Sequence, residues 1–319
     1  MPEFFNTYGG SVLSTTFDKY CYVNVKHLPR FFDYSSEVVY SRIERVASIE
    51  DIEHPAVRNA MKMLSMRELR VAYEADLPAR TGLGTSSSFA VGMLNAFHCL
   101  KGQYASKGML AKEAIHLERA LCSESGGWQD QVAAAFGGLN RIDFENDSFE
   151  VSPIIINPKR KAALNESLML FFTGFTRISS EIQRSNHYDR TDELREMLSL
   201  VDEAESVLVD KNASLHRFGE LLDHTWKLKR GLGKKVSTEA IDGFYDKALN
   251  AGATGGKLLG AGGGGFLLFY AEPDAQKSVI SALPELLNIP FTFEDGGTSV
   301  IHYSPEDFEC MPEEHSVCN

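Results

Sequence analysis

The sequence predicts two α+β domains that share an interface. Three observations carry this expectation. A chain of 319 residues is long enough to build two cores. Runs in which apolar and polar residues alternate are interleaved with runs of helical period along its length. Two dense glycine clusters, near residues 83 and 262, lie far apart, each at the edge of an apolar run. The basic, proline-bearing segment Asn157–Lys161 is the expected boundary, dividing the chain into residues 1–155 and 156–319.

Composition narrows the function. Hydrophobic content of 43% and charged content of 24% are ordinary for a globular chain. A formal charge of −12 argues against non-specific binding to nucleic acid or to an anionic membrane. An anionic substrate would therefore need a locally basic pocket. No apolar run is long enough for a membrane span, and no basic-then-apolar segment opens the chain, so a cytoplasmic location is expected. Five scattered cysteines lack metal-ligand spacing and read as reduced thiols; the nine histidines are equally dispersed, and no zinc site is expected.

Tyr8-Gly9-Gly10 is a turn signal before a strand over Ser11–Phe17, and a second strand is expected over Tyr20–Val25. Ala56, Val57, Ala60, Met63 and Leu64 recur at helical spacing within 53–67, and Leu69–Asp76 alternates like a half-buried strand. Next comes Pro78-Ala79-Arg80-Thr81-Gly82-Leu83-Gly84-Thr85-Ser86-Ser87-Ser88, running into a helix marked by Phe89, Met93, Leu94, Phe97 and Leu100. A helix start offers unpaired N–H groups and a positive dipole end, a natural cradle for phosphate. The alternative is an ordinary N-cap, but a cap needs one hydroxyl residue and this loop has four. It reads as a nucleotide-binding loop.

A further helix is expected from about Ser106 to Leu121, with Leu110, Ala114, Leu117 and Leu121 on one stripe and Glu113 and Glu118 off it. Gly126-Gly127-Trp128-Gln129-Asp130-Gln131 follows. Two readings stay open for Asp130: a solvated carboxylate in a polar turn, or one held at a cleft wall by a glycine turn. Short strands fill 137–156, with a tip near Asp147-Ser148. The cations of Asn157–Lys161 read as a solvated loop rather than a phosphate site. A buried strand is expected at Ser167–Phe172. Helices are expected near 178–187, 190–209, 214–229 and 238–250.

In the second cluster, Gly260, Gly262 and Gly265 fit G-x-G-x-x-G. A dinucleotide fingerprint follows a strand and opens a helix, whereas this one precedes the apolar strand Phe266–Tyr270. The glycines serve tight backbone approach, to a ligand or to another segment. A helix near 273–286 and strands near 289–293 and 298–303 complete the chain.

Together these motifs resemble the GHMP kinase superfamily of small-molecule kinases, named for galactokinase, homoserine kinase, mevalonate kinase and phosphomevalonate kinase. Pro78–Ser88 matches its P-x-x-x-G-L-G-S-S-A-A motif, with Thr85 for the first Ser and Ser87-Ser88 for the two Ala. Lys257–Gly265 matches the motif ending G-A-G-G-G-G. Gly9–Thr16, Gly127–Gln131, Thr173–Arg177 and Gly255–Gly262 look like the sugar-kinase branch, and most like its heptose-phosphate kinases. The resemblance implies a mixed N-terminal sheet with helices, a ferredoxin-like antiparallel C-terminal sheet with helices, and an active site in the cleft between them.

It also implies roles. Pro78, Gly82, Leu83, Gly84, Thr85, Ser86, Ser87 and Ser88 would hold ATP, and Ser86 with Glu118 would hold Mg²⁺. Asp130 would be the general base for the acceptor hydroxyl. Gly127, Asp130, Arg177, Lys257, Gly262 and Gly263 would contact the substrate, with Arg177, Lys257 and Arg80 candidates for its phosphate. The implied reaction is transfer to the anomeric hydroxyl of a heptose 7-phosphate, a small sugar phosphate, with no nucleic-acid or membrane partner and with a homodimer left open; the alternatives are a kinase for another sugar, such as fucose or galactose, or a non-catalytic relative that binds nucleotide or sugar. The family's first motif, a strand with Arg-x-Ser before a glycine-rich turn, would precede Pro2. Two alternatives follow: the native protein is longer by about twenty residues, the length of a strand plus turn and the favoured expectation, or the chain is a natural remnant with weak activity.

Overall fold

The computed structural model describes residues 2–29, 31–79, 81–174, 190–233, 236–260 and 262–304. Helix α1 (Pro2–Tyr8) leads into β1 (Gly10–Ser14), which pairs antiparallel with β7 (Asn140–Glu145). Strand β7 turns back into β8 (Ser148–Pro153) through Asn146 and Asp147, both at positive φ, the backbone that a two-residue hairpin requires. The predicted strand over Ser11–Phe17 is interrupted at Thr15. Its second part, β2 (Thr16–Phe17), joins a different sheet.

A second sheet has the order β3–β6–β4–β5, formed by Cys21–His27, Leu69–Ala75, Ser36–Val39 and Ile43–Val46. It is mixed: β4 runs parallel to β6 with Val38 opposite Val71, and the other pairs are antiparallel. Helix α2 (Pro55–Met63) precedes β6. Helices α3 (Thr85–Leu100), α4 (Lys107–Ile115) and α5 (Gln129–Phe136) complete this half, and α3 packs on β3, α4 and α5. Phe89, Met93, Leu94 and Phe97 of α3 are buried in one core with Val38, Leu69, Val71 and Ile142.

The later part of the chain builds an antiparallel sheet of order β10–β11–β9–β12, from Gly255–Leu258, Phe266–Tyr270, Leu168–Phe172 and Leu287–Ile289. Helices α6 (Pro158–Ser167), α7 (Thr191–Val209), α8 (His216–Gly231), α9 (Glu239–Asn250) and α10 (Gln276–Ala282) accompany it. Its core gathers Met169, Phe171, Trp226, Tyr245, Leu267 and Phe269. The chain then crosses back. Strand β13 (Phe293–Glu294) pairs with β2, and Thr298 donates its backbone N–H to Ala134 in α5 at 2.9 Å.

Several expectations are corrected. Asn157–Lys161 is not a loop: Asn157 accepts from the Lys159 amide and caps α6, with Pro158 pre-set for the first helical turn. The late helix spans only Gln276–Ala282. Residues 298–303 form no strand, because the chain lies exposed after Gly297 packs against Ala135 and Phe136. The helix expected near 178–187 lies outside the described residues. Among the described residues no helix is long and apolar enough to cross a membrane. Cys21, Cys99 and Cys122 are unpaired thiols.

Candidate active site

The first glycine loop rises from the end of β6. Thr81 is buried and donates its Oγ1 hydrogen to the Pro78 carbonyl at 2.9 Å. Gly84, at φ +73°, is the residue before the helix and makes no side-chain cap. That backbone suits glycine, and it turns the chain so that α3 begins with uncapped amides. The hydroxyls that follow are not caps. Ser86 donates to Glu118 Oε1 at 2.7 Å and Ser87 to Glu118 Oε2 at 2.8 Å; the Gln131 amide also donates to Glu118 Oε2.

Glu118 reaches this position through a local irregularity. After α4 the helix widens into a π turn over His116–Leu121. The extra residue per turn rotates the side chains that follow. Glu118 is therefore 2% exposed, whereas Leu121 is 40% exposed. The sequence stripe placed these two the other way round, since it assumed an unbroken 3.6-residue period. The side chain of Gln131 is fully buried, and its Oε1 has no hydrogen-bond partner.

Asp130 stands in the first turn of α5, so the segment read as a turn before an apolar run is itself a helix start. A Cβ built on Gly84 would lie 3.4 Å from the Asp130 Cβ, so the loop and this carboxylate are in contact. Arg119 fixes the approach, donating to the carbonyls of Gly127 at 3.1 Å, Ser125 at 3.2 Å and Glu124 at 3.3 Å. Burial pushes the Asp130 carboxyl above its ordinary range. The nearby Glu118 charge adds to the rise, while Gln129, Arg119 and Lys229 oppose it.

The second glycine loop meets the first. A Cβ on Gly260, at φ +72°, would lie 2.5 Å from the Gly82 Cα, so the two backbones touch where no side chain fits. Gly262 and Gly263 are buried, and Gly263 donates its N–H to the Val236 carbonyl at 3.0 Å. From the last turn of α8, Lys229 donates to the carbonyls of Gly260 at 2.6 Å and Leu258 at 3.2 Å. Burial, reinforced by Lys257, pushes its ammonium down to about 7; Asp130 opposes the shift. Burial also lowers Lys257.

A cleft of about 1660 Å³ brings part of the expected set together, while Ser86, Ser87 and Glu118 stand outside its lining. That volume is room for more than one drug-sized ligand. Gly82, Leu83, Gly84, Thr85 and Ser88 line it, and so do Gly127, Asp130 and Lys257. Pro78 is exposed at the foot of the loop, and Gly262 and Gly263 lie in the loop packing against Val236. Arg80 and Arg177 lie outside the described residues. Sequence reasoning missed Arg119, Gln131 and Lys229. Arg119 and Gln131 sit beside residues it had singled out, but nothing separates Lys229 from its neighbours Lys227 and Arg230.

The donors around Glu118 suit a hard divalent cation. Glu118 offers a buried carboxylate, Ser86 an exposed hydroxyl and Gln131 an unpartnered acceptor oxygen. Mg²⁺ takes such oxygens, one or two carboxylates at a time, and completes its shell with water and substrate phosphate. Among the described residues no group of three His, Cys, Asp or Glu could hold a metal by itself.

Comparison with known proteins shows the family and the fold. The model of the GHMP kinases N terminal domain matches residues 51–138, and that of the GHMP kinases C terminal matches 209–289. The chain is similar to D-glycero-alpha-D-manno-heptose 7-phosphate kinase of Campylobacter jejuni, 32% identical over 66% of this chain and 63% of that enzyme. It is also similar to L-fucokinase/L-fucose-1-P guanylyltransferase of Bacteroides fragilis, 29% identical over 68% of this chain and 24% of that protein. The matched stretch thus spans less than two thirds of either relative. Among solved structures, a D-glycero-D-manno-heptose 1-phosphate kinase from Bacteroides thetaiotaomicron has the same fold, with a TM-score of 0.75, 24% identity, and coverage of 94% of this chain and 93% of that one.

Proposed function

The chain belongs to the GHMP kinases, and from that premise we propose that it is an ATP-dependent sugar kinase acting on the anomeric hydroxyl of D-glycero-D-manno-heptose 7-phosphate. The product would be the 1,7-bisphosphate, a precursor of nucleotide-activated heptose for surface polysaccharide. The observation that carries the reading is the contact of Gly84 with Asp130 at the cleft, with the Ser86–Glu118 pair held in the first turn of the helix that Gly84 opens. Residues 1–155 are proposed as the ATP-binding domain and 156–319 as the C-terminal domain, each with its own core.

Phosphoryl transfer asks mainly for positioning and for neutralisation of charge on the moving group. The uncapped amides of Thr85–Ser87 and the positive end of α3 would bind the ATP phosphates. Ser86 and Glu118 would hold Mg²⁺, which when bound neutralises phosphate charge. Asp130 would accept the proton of the acceptor hydroxyl. Its raised carboxyl is a better base than an ordinary aspartate, and an anomeric hydroxyl gives up its proton more readily than a simple alcohol.

The two heptose kinases among the similar proteins favour a heptose phosphate, although their names place the phosphate at different carbons. The fucokinase likeness supports a second reading, a kinase for another sugar such as fucose. A coupled ADP-release assay across heptose 7-phosphate, fucose, galactose and mevalonate tests both. Preference for heptose 7-phosphate is expected. Fastest turnover with an unphosphorylated sugar would transfer the assignment to the second reading, and no ADP release with any acceptor would defeat both.

A further inference from the structure

A cation withdrawn from water is costly unless an anion comes to it. The cleft keeps two such cations on the wall built from α8 and β10. Lys257 has no hydrogen bond or ion pair to any described residue, yet it is partly buried and lines the cleft. Among the described residues, Lys229 is bonded only to the carbonyls of Leu258 and Gly260, which are dipoles and not counter-ions. An ammonium has three hydrogens, so these two bonds leave Lys229 one donor for a ligand. The same cleft is lined by the uncapped start of α3 at Gly84 and Thr85 and by the Asp130 carboxylate, so an anion entering it meets the lysines and the helix start together.

We propose that Lys229 and Lys257 together form an anchor for a phosphate dianion on the α8–β10 wall of the cleft. The inference rests on the kinase reading only for the source of that phosphate, which is either the acceptor's own or the terminal phosphate of the nucleotide. Either anion would stabilise the protonated form of both lysines. Because burial holds Lys229 near 7 in the free protein, part of its population is neutral at pH 8. Anion binding there converts Lys–NH₂ to Lys–NH₃⁺ with a proton drawn from the buffer, so proton uptake accompanies binding.

The test is calorimetric titration of the full chain with inorganic phosphate and with ADP, at pH 8 in two buffers of different ionisation heat, beside kinetics with a phosphorylated sugar. Lys257→Met removes no bond within the described protein, so it separates binding from folding. It is expected to weaken phosphate about tenfold or more, the weight of charge-assisted bonds. Lys229→Arg is expected to keep the affinity but reduce the proton uptake, with any remainder carried by Lys257, which a merely structural lysine would not do. If Lys257→Met weakens ADP to the same degree, the phosphate belongs to the nucleotide. If ADP stays within about twofold and the KM for the sugar phosphate rises about tenfold, it belongs to the acceptor. The anchor is overturned if phosphate, ADP and the sugar-phosphate KM are all unmoved by Lys257→Met, or if the proton uptake is undiminished by Lys229→Arg. Lysine-dependent phosphate binding without ADP release from any sugar would leave the anchor standing and defeat the kinase reading instead.

Discussion

The two glycine clusters look alike in sequence and do opposite work in the structure. At Gly84 the missing side chain opens backbone to the cleft, for Gly84 starts α3 without a cap and lies against Asp130, while Gly82 beside it is the point where this cluster touches the other. Around Gly260–Gly265 they let segments approach one another. Gly260 meets Gly82, Gly262 meets the Val236 backbone, and Gly265 lies against Thr81 while exchanging hydrogen bonds with Thr173. One cluster presents chemistry, the other closes the structure behind it. Glycine density alone does not distinguish these uses, since both need backbone without Cβ.

That contrast can be broken by substitution. The largest effect is expected at Asp130, the carboxylate behind the first cluster. Asp130→Asn should lower kcat about 10²–10⁴-fold, the usual weight of a general base, in the coupled ADP assay. The same change should stabilise the fold at neutral pH. A carboxyl whose folded pKa is raised stabilises fully only below its unfolded value, and loses that contribution as pH rises through the folded one. A neutral amide escapes the penalty, and a gain of about 1 kcal/mol in denaturant unfolding is expected.

The second cluster should respond in stability first. Gly260→Ala forces a Cβ to 2.5 Å from the Gly82 Cα at a positive φ, and a loss of about 2–4 kcal/mol in chemical denaturation is expected. If Gly260→Ala left stability intact and abolished only ATP binding, the division of labour between the clusters would fail.

Ser86→Ala tests the first cluster more gently. It removes one hydroxyl from Glu118 and should weaken Mg·ATP by about tenfold, with little change in melting temperature. A collapse of the fold would mean that the Ser86–Glu118 pair is structural.

The last effect concerns pH. With Lys229 near 7 when folded and near its ordinary 10.5 when unfolded, the unfolded chain binds more protons between these values. The contribution of Lys229 to stability therefore rises with pH from about 7 to about 10.5. Thermal melts of the ligand-free protein should show this rise as a difference between the wild type and Lys229→Met.

Much of the fold was legible because its signals are local. The alternation in Leu69–Asp76 and the spacing of Phe89, Met93, Leu94 and Phe97 each encode one face of one element, and both elements formed where expected. The position of the first loop, at a strand end and a helix start, was equally local. Mistakes gathered where a neighbour overrode the pattern. The helix after Asn157 was hidden by its charges, and the strand over Ser11–Phe17 was divided between two sheets.

By itself the sequence determined the glycine- and hydroxyl-rich loop at the head of a helix, and the presence of Glu118 and Asp130 downstream of it. Only the tertiary structure decided which way these groups face. The π turn brought Glu118 inward to Ser86, the contact of Gly260 with Gly82 joined loops far apart in the chain, and the packing of α8 selected Lys229 over Lys227 and Arg230 for the cleft. The reason is physical. Backbone propensity and periodicity act over a few neighbouring residues, whereas a side chain's burial, partners and charge state depend on segments brought together only when the chain closes on itself.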